Sequence, residues 1–572
     1  MQFDGMEMCI FMVLMILTNM SKTIRIHCLN TNTYELFPMG TTVLQVYESM
    51  AAHIIPNAIV ARVNNKAVGL HYEIYNHKQI EFINTYSSSG MRAYVRTLTF
   101  VVSAAVAELF PEGKFKLEHP VSKGYFCRLE LGRTVTPDDL VSVKKRVQEL
   151  IDADNAIEFV EDETPNVIEL FKNRNRQDLV DLLITQGSLY SGYFKMGWHV
   201  DYYYGALAIS TGYLNLFDIS TYHDGLLLQI PNRVDPTVLQ DIDDQPKLLG
   251  VFKEYLDWCD IMDMSNVGDL NRACESGEST NLINISESLQ EKKIAQIADA
   301  IHQNEQAKII LISGPSSSGK TTFSKRLSIQ LMVLGYKPVA ISLDDYFLSR
   351  TLTPKDENGE YDFESFHALD LELFNKHLKA LIQGEEVEVP TFNFALGVKE
   401  FKGNKLKLTD RSILIFEGIH ALNPKLLPKI PKEVQFKVYV SALTAMSLDD
   451  HNWIPTTDNR LLRRIIRDFR YRGYSAKETI SRWDSVRKGE EKWIFPYQEE
   501  ADAMFNSALL FEFSVLRSYA EPILRMVPKS CAEYAEAHRL LRFVEYFTPI
   551  SDPEIPYTSL LREFLGGSSF RY

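Results

Sequence analysis

Midway along this chain, Gly314-Pro-Ser316-Ser317-Ser318-Gly319-Lys320-Thr321-Thr322 fits G-x-x-x-x-G-K-[ST] without a mismatch. The residue types suit the capture of phosphate. Gly314 and Gly319 let the backbone curl so that successive N–H groups point inward at anionic oxygens. Lys320 supplies charge for the outer phosphates, and the Thr321 hydroxyl can ligate Mg2+. Apolar, β-prone residues 309–312 precede the loop, and residues 322–334 are apolar at helical spacing. A strand therefore delivers the loop, and a helix N-terminus faces the anion.

Three carboxylates fall where chemistry on that anion would need them. The apolar run 338–343 leads into Asp344-Asp345-Tyr346, and the run 412–416 leads into Glu417-Gly418. An acid at a strand end beside a phosphate loop suits a general base for an attacking hydroxyl, the role read for Asp344. Glu417 suits a Mg2+-organising acid acting through water. Farther on, Asp458 to Gly473 contains six arginines. Arg460, Arg463, Arg464 and Arg467 are spaced i, i+3, i+4, i+7 and so share one helix face, read as a basic surface that neutralises transferring charge.

The elements that must hold these residues follow from the pattern. Apolar runs at 309–312, 338–343, 412–416, 435–440 and 508–511 alternate with helix-like stretches. Buried strands alternating with helices imply an α/β fold: a parallel sheet flanked by helices, with ligands at the strand carboxyl ends. Upstream, 23–26 and 33–37 read as a hairpin, 42–52 as a helix, and 59–63 and 79–82 as further strands, a small mixed α/β unit. A helix is expected at 100–109. Residues 266–287, rich in Ser, Asn and Glu, read as a linker, and a helix is expected from Ser288 to Gln303.

Length and charge set outer bounds. At 572 residues the chain is too long for one core. A net charge of −14 argues against general nucleic-acid or anionic-membrane binding. Six cysteines without a C-x-x-C pair read as reduced thiols, so the expected location is cytoplasmic. The apolar run 8–17 is short for a membrane span and lacks a basic flank, so Met20 is read as the working start.

Taken together, the phosphate loop, the Asp344-Asp345 pair, Tyr361-Asp362-Phe363, Glu417 and the arginine segment resemble the uridine kinase and phosphoribulokinase family of P-loop kinases, over residues 308–513. The resemblance implies ATP with Mg2+ and a small-molecule acceptor. It implies the loop residues Gly314, Ser316, Ser317, Ser318, Gly319, Lys320, Thr321 and Thr322 around the phosphates. Asp344 would be the base, helped by Lys320 and Arg467, with Arg464 and Arg472 on the nucleotide. Thr321 and Glu417 would hold the metal, and Asp345, Tyr346, Asp362 and Phe392 would line the acceptor site. Where uridine–cytidine kinases carry Tyr-Asp-Phe with a later His and Arg, this chain has Phe392-Asn393-Phe394 with Gly397 and Lys399. A pocket without those polar partners reads a pyrimidine edge differently. A nucleoside is the first expectation for the acceptor, and a pentose or pentose phosphate is the alternative.

Residues 21–85, through Ile24–Ile26, the Pro38-Met-Gly40 turn and Ala58–Asn64, resemble a TGS domain. Residues 86–265 resemble the second domain of threonyl-tRNA synthetase, with Phe100 and Ala104 where its zinc-binding histidines would stand. His199, His223, Asp201, Asp218 and Asp224 sit among aromatics there and read as polar tips of an aromatic core. The division expected is an N-terminal extension 1–20, these two units, the linker 266–287, a kinase domain 288–550 and a C-terminal tail 551–572. A tRNA- or nucleotide-sensing role for the first two units, and a homo-oligomer, are the open partner readings. The alternative for the whole is a nucleotide-regulated RNA-binding protein.

Overall fold

The computed structural model describes residues 23–357, 359–394 and 396–572. The apolar run 8–17 and the Met20 start lie outside the described residues. Among the described residues no helix is long and apolar enough to cross a membrane.

The first unit begins with the expected hairpin, β1 (Thr23–Cys28) against β2 (Thr33–Pro38), closed by Asn32 at φ 54°. Helix α1 (Val43–Met50) starts where Thr42 and Gln45 form a reciprocal capping box. Strands β3 (Val60–Val63), β4 (Lys66–Gly69) and β5 (Lys78–Ile83) complete a sheet of order β2-β1-β5-β3-β4.

Helix α2 runs from Ser88 to Leu109, twelve residues earlier than the expected start at Phe100, because Ser87 caps it by accepting the Gly90 N–H. Phe100 and Ala104 are buried apolar residues of this helix. The following segment has an antiparallel sheet of order Asp218–Tyr222, Gly225–Gln229, Gly124–Glu130, Lys114–Val121, and a three-stranded sheet built from Glu158–Glu163, Tyr190–Met196 and His199–Asp201. His199 lies 3.0 Å from the Ser103 hydroxyl and His223 2.7 Å from Asp244, so both rings are partnered within the protein.

The linker expected at 266–287 is helical instead: α3 (Val267–Glu275) and α4 (Ser279–Gln303). The polar residues that suggested a loop serve the helix starts. Asn266 and Asp269 form a capping box, while Val267, Leu270, Leu282 and Ile283 are buried. Helix α4 also begins well before Ser288.

Strand β6 (Ile309–Ser313) then enters a five-stranded parallel sheet with β7 (Lys337–Ser342), β8 (Ser412–Glu417), β9 (Gln435–Ser441) and β10 (Ala503–Asn506). The order is β7-β8-β6-β9-β10. All five residues of β6 are buried, as expected for a central strand covered by helices on both faces. The chain leaves β6 toward β7 and later returns to its other side as β9. That switch point opens a crevice at the carboxyl ends of β6 and β8. The strand expected at 508–511 is instead β10, because at Ala508 the backbone turns, its N–H bound to Asn506 Oδ1 at 2.9 Å, and leads into helix α5 (Glu512–Arg525).

The residues expected to form a C-terminal tail, 551–572, are core. Leu560, Leu561 and Phe564 are fully buried, the first and last against β6 and the helix after it. Upstream segments also reach the C-terminal half of the chain through ions. Arg176 donates to Asp201 at 2.8 Å, and His451 lies 2.5 Å from the same carboxylate. Arg539 binds Asp458 at 2.6 Å, and Arg92 binds Glu536 at 3.1 Å.

The arginine segment forms helix α6 (Thr456–Arg467), and its face divides, contrary to the basic surface expected. Arg460 and Arg463 are 1% and 0% exposed. Arg463 is bidentate to Glu512, itself fully buried, with Nη2 at 2.7 Å from Oε2. Removing one partner leaves the other charge buried and bare, which costs about 3–5 kcal/mol. Glu512→Ala is therefore expected to lower the stability of the chain by about that amount in urea unfolding. Arg463→Met with Glu512→Leu should recover most of the loss; no recovery in the double variant would assign the cost to packing instead of charge.

Candidate active site

The phosphate loop takes its shape from close approaches that only glycine permits. A Cβ on Gly314 would stand 1.9 Å from the Val440 carbonyl oxygen, and one on Gly319 would meet Leu560 at 2.5 Å. Gly319 (φ 84°) opens helix α7 (Lys320–Val333), whose first N–H groups face the crevice. Lys320 Nζ donates to the Pro315 carbonyl at 3.1 Å, a contact within its own loop. Ser317 Oγ and Ser318 Oγ are buried and have no hydrogen-bond partner among the described residues. Orphaned hydroxyls beside a row of amides fit a phosphate acceptor.

The apex of this loop is gripped from outside by the arginine segment and by Glu490, the one member that the sequence pattern did not single out. The Ser316 N–H donates to Glu490 Oε1 at 3.1 Å, and Arg460 Nη1 donates to the Ser316 carbonyl at 3.2 Å. Arg460 is in turn bidentate to Glu490, which lies on helix α8 (Trp483–Trp493) and is 0% exposed. Arg464 donates to Ser316 Oγ at 2.8 Å, and Arg463 Nη1 approaches the Ser317 carbonyl at 3.4 Å. Glu490 falls on a helix with the ordinary polar look of Lys-Gly-Glu-Glu-Lys, so nothing local marks it.

Facing the loop are the strand-end acids. Thr321 Oγ donates to Glu417 Oε1 at 3.3 Å. Loss of water around Glu417 lifts its carboxyl to about 7, against the pull of Lys320. The same loss lifts Asp344, opposed by Lys320, Arg472 and Arg467, which are its cationic neighbours. Glu364 was not foreseen: burial raises it to about 7, with Arg464, Glu490, Asp344 and Lys320 as its charged neighbours. Arg472 is held down to about 10, first by Arg467 and then by burial. The acids are thus raised chiefly by burial, and only Arg472 is shifted first by a like charge. A Thr hydroxyl and one water-stripped carboxylate beside phosphate-binding amides fit Mg2+, which takes few protein ligands and keeps phosphate and water oxygens.

The other expected site residues are placed as follows. Arg467 pairs with Asp468 at 2.9 Å, and the Arg472 guanidinium lies 5.1 Å from the Phe394 ring centre. Asp345 accepts the Phe392 N–H at 3.0 Å and so fastens the hairpin of Thr391–Asn393 and Val398–Glu400 to the strand end. Tyr346 departs from the acceptor-lining role: it is 1% exposed, with its hydroxyl 3.0 Å from His377 Nδ1 and its ring against Phe374. Asp362 is half-buried, and its carboxylate accepts the Glu364 N–H at 3.2 Å in a turn. Phe392 packs with Phe347 and Phe394. The hairpin's polar side chains are bound within the protein, Asn393 to Glu400 at 3.0 Å and Lys399 to Asp370.

Residues 309–510 match the Phosphoribulokinase / Uridine kinase family. Uridine kinases of Staphylococcus aureus, strains JH9 and Newman among them, are 30% identical over 195 residues, 34% of this chain and 84% of theirs. The chain belongs to the phosphoribulokinase/uridine kinase family. It is accordingly a small-molecule kinase, with ATP implied as phosphoryl donor. Among solved structures, a putative fructose transport system kinase from Silicibacter sp. TM1040 is 19% identical, with a TM-score of 0.28 over 37% of this chain and 98% of its own. A possible uridine kinase from Bacillus stearothermophilus is 19% identical, with a TM-score of 0.24 over 35% of this chain and 89% of its own.

The raised carboxyls give the site a pH signature. Glu417 holds its proton up to about 7 in the folded chain against an ordinary 4.5, so folding favours its neutral form. Its contribution to stability is therefore greatest below about 4.5 and declines as pH rises through 7. Glu417→Gln, permanently neutral, should stabilise the protein at pH 8 by on the order of 2 kcal/mol and change little at pH 4.5. Equal melting temperatures for variant and wild type at pH 8 would contradict the burial cost.

Proposed function

We propose that the kinase transfers the terminal phosphoryl group of Mg·ATP to a hydroxyl of a nucleoside, as a uridine-kinase-like enzyme. The observation that carries this is the convergence of Asp344, Lys320, Arg467 and Arg472 at the carboxyl edge of the parallel sheet, beside an anion cradle with two unpartnered serine hydroxyls. Asp344 takes the proton of the acceptor hydroxyl as its oxygen attacks the terminal phosphorus, and ADP leaves toward the loop amides and Lys320. Arg464, Arg467 and Arg472 neutralise the transferring oxygens. Thr321 and Glu417 would hold Mg2+, which when bound would supply neutralising charge to the phosphates. Phe392 and Asp345 border the acceptor, and Glu364 is added to that border.

A second reading has its own support. Asn393 and Lys399, the hairpin's polar groups, are consumed by Glu400 and Asp370, leaving Phe392 and Phe394 to face an acceptor. A pentose or pentose phosphate, which needs no base-reading edge, fits such a border as well. Residues 21–85 and 86–265 are proposed as TGS-like and synthetase-like units outside the chemistry, and a cytoplasmic setting suits an ATP-using enzyme.

ADP formation from Mg·ATP, screened over nucleosides, pentoses and pentose phosphates, should rise above background with one of these classes. Asp344→Asn should then cut kcat by about 10²–10⁴-fold while ADP still binds, and Lys320→Ala should weaken ADP binding. Stimulation by none of the acceptors would reject the substrate classes, and full turnover by Asp344→Asn would reject the base.

A further inference from the structure

One contact at the phosphate loop belongs to neither substrate. Thr322 is the third residue of α7, so its N–H has no carbonyl partner within the helix; Phe323 is the first to reach back, to Gly319, at 3.0 Å. Glu563 fills the vacancy. Its Oε2 accepts the Thr322 N–H at 3.2 Å and the Thr322 hydroxyl at 2.6 Å. The Tyr572 hydroxyl adds a third contact, 2.8 Å from Thr322 Oγ.

A carboxylate is thus bound at the end of the amide row that begins with the unpartnered Ser317 and Ser318. An anion lying along the row from Lys320 outward meets the Thr322 donors next. Two anions cannot share them, because like charges at hydrogen-bond distance repel strongly in a site stripped of water.

The segment bearing Glu563 is built to stay and also to move. Leu560 and Phe564 anchor it in the core beside Gly319. Beyond Leu565, Gly566 (φ 84°) and Gly567 (φ 71°) form a consecutive left-handed pair. A Cβ on Gly566 would stand 2.7 Å from the Tyr471 hydroxyl and 2.9 Å from Arg470 Nε, so the bend rests on the arginine segment that ends at Arg472.

We infer that Glu563 is an internal competitor of the donor nucleotide: its carboxylate occupies the position of the phosphate nearest the nucleoside, and nucleotide binding must displace it from Thr322. This rests on the donor-site reading above. The device makes occupancy of the phosphate loop and the placement of residues 563–572 a single equilibrium.

Titration of the full-length chain with Mg·ADP tests it, comparing wild type, Glu563→Gln, Glu563→Ala and Lys320→Ala. Releasing a charged hydrogen-bond acceptor should tighten ADP binding by about tenfold in both Glu563 variants. Hydrogen exchange of residues 563–572 in the wild type should quicken when ADP is added, a readout independent of whether either variant folds well. A Glu563 that merely caps α7 would lower the melting temperature and leave ADP affinity unchanged. Unchanged or weakened ADP binding in a folded variant, or slower exchange on adding ADP, would overturn the inference. Wild type and Lys320→Ala both failing to bind ADP would instead remove the donor-site reading, and the inference with it.

Discussion

A loop that offers backbone N–H groups to an anion must keep its shape when the anion is gone, and here ion pairs do that work. Glu490 takes the Ser316 N–H while Arg460 takes the Ser316 carbonyl, and the two side chains hold each other in a bidentate pair. Arg463 repeats the scheme with Glu512, beneath Ser317. Ionic pairs this deeply buried carry a heavy desolvation cost, which the bidentate geometry offsets although Arg460 Nε finds no partner among the described residues. Single-point packing could not orient a loop of small residues. Arginine can, because its planar fork binds a carboxylate and a carbonyl at once. The kinase core therefore depends on α6, α8 and α5 being seated around the loop before any nucleotide arrives.

The working face has the opposite character. Asp344, Glu417 and Glu364 are all lifted by loss of water, and Arg472 is depressed by Arg467. Such unbalanced groups lower the stability of the folded chain and are expected where a charged ligand completes the balance. The same helix serves both faces: Arg460 and Arg463 point into structure, while Arg464 and Arg467 border the crevice. Asp458, at the start of that helix, is held by Arg539, whose neighbour Glu536 binds Arg92 of the long helix α2. The regions upstream of the kinase core thus touch the arginine helix through charge.

The hairpin of Thr391–Asn393 and Val398–Glu400 is organised differently. Asp345 spends its carboxylate on the Phe392 N–H, and Lys399 spends its ammonium on Asp370. Polar groups committed in this way fix the hairpin instead of reading a ligand. What the hairpin offers is aromatic surface, capped by the Arg472 guanidinium above Phe394.

Local features were legible in the residues alone. A strand of five buried residues, a glycine-framed loop and acids at strand ends are consequences of short-range sterics and periodicity, so the placement of Lys320, Thr321, Asp344 and Glu417 around one crevice was legible. Local sequence also misled where polar residues cap a helix, as at Asn266 and Asp269, because capping and loop chemistry use the same side chains. It placed the four arginines on one arc of roughly 100°, yet could not say that half of that arc is buried. That depends on Glu490 and Glu512, which are near in space and distant in sequence. The Tyr346 hydroxyl finds His377, and its burial follows, for the same reason. Glu563 is the extreme case: it sits 241 residues from Thr322, and only the packing of Leu560 and Phe564 brings its carboxylate to the phosphate loop. The sequence by itself determined the reaction class, because phosphate capture is written in one contiguous segment. Which charges brace the loop, which border the crevice and which hold Thr322 was decided by tertiary structure, since each depends on a partner that the chain supplies from elsewhere.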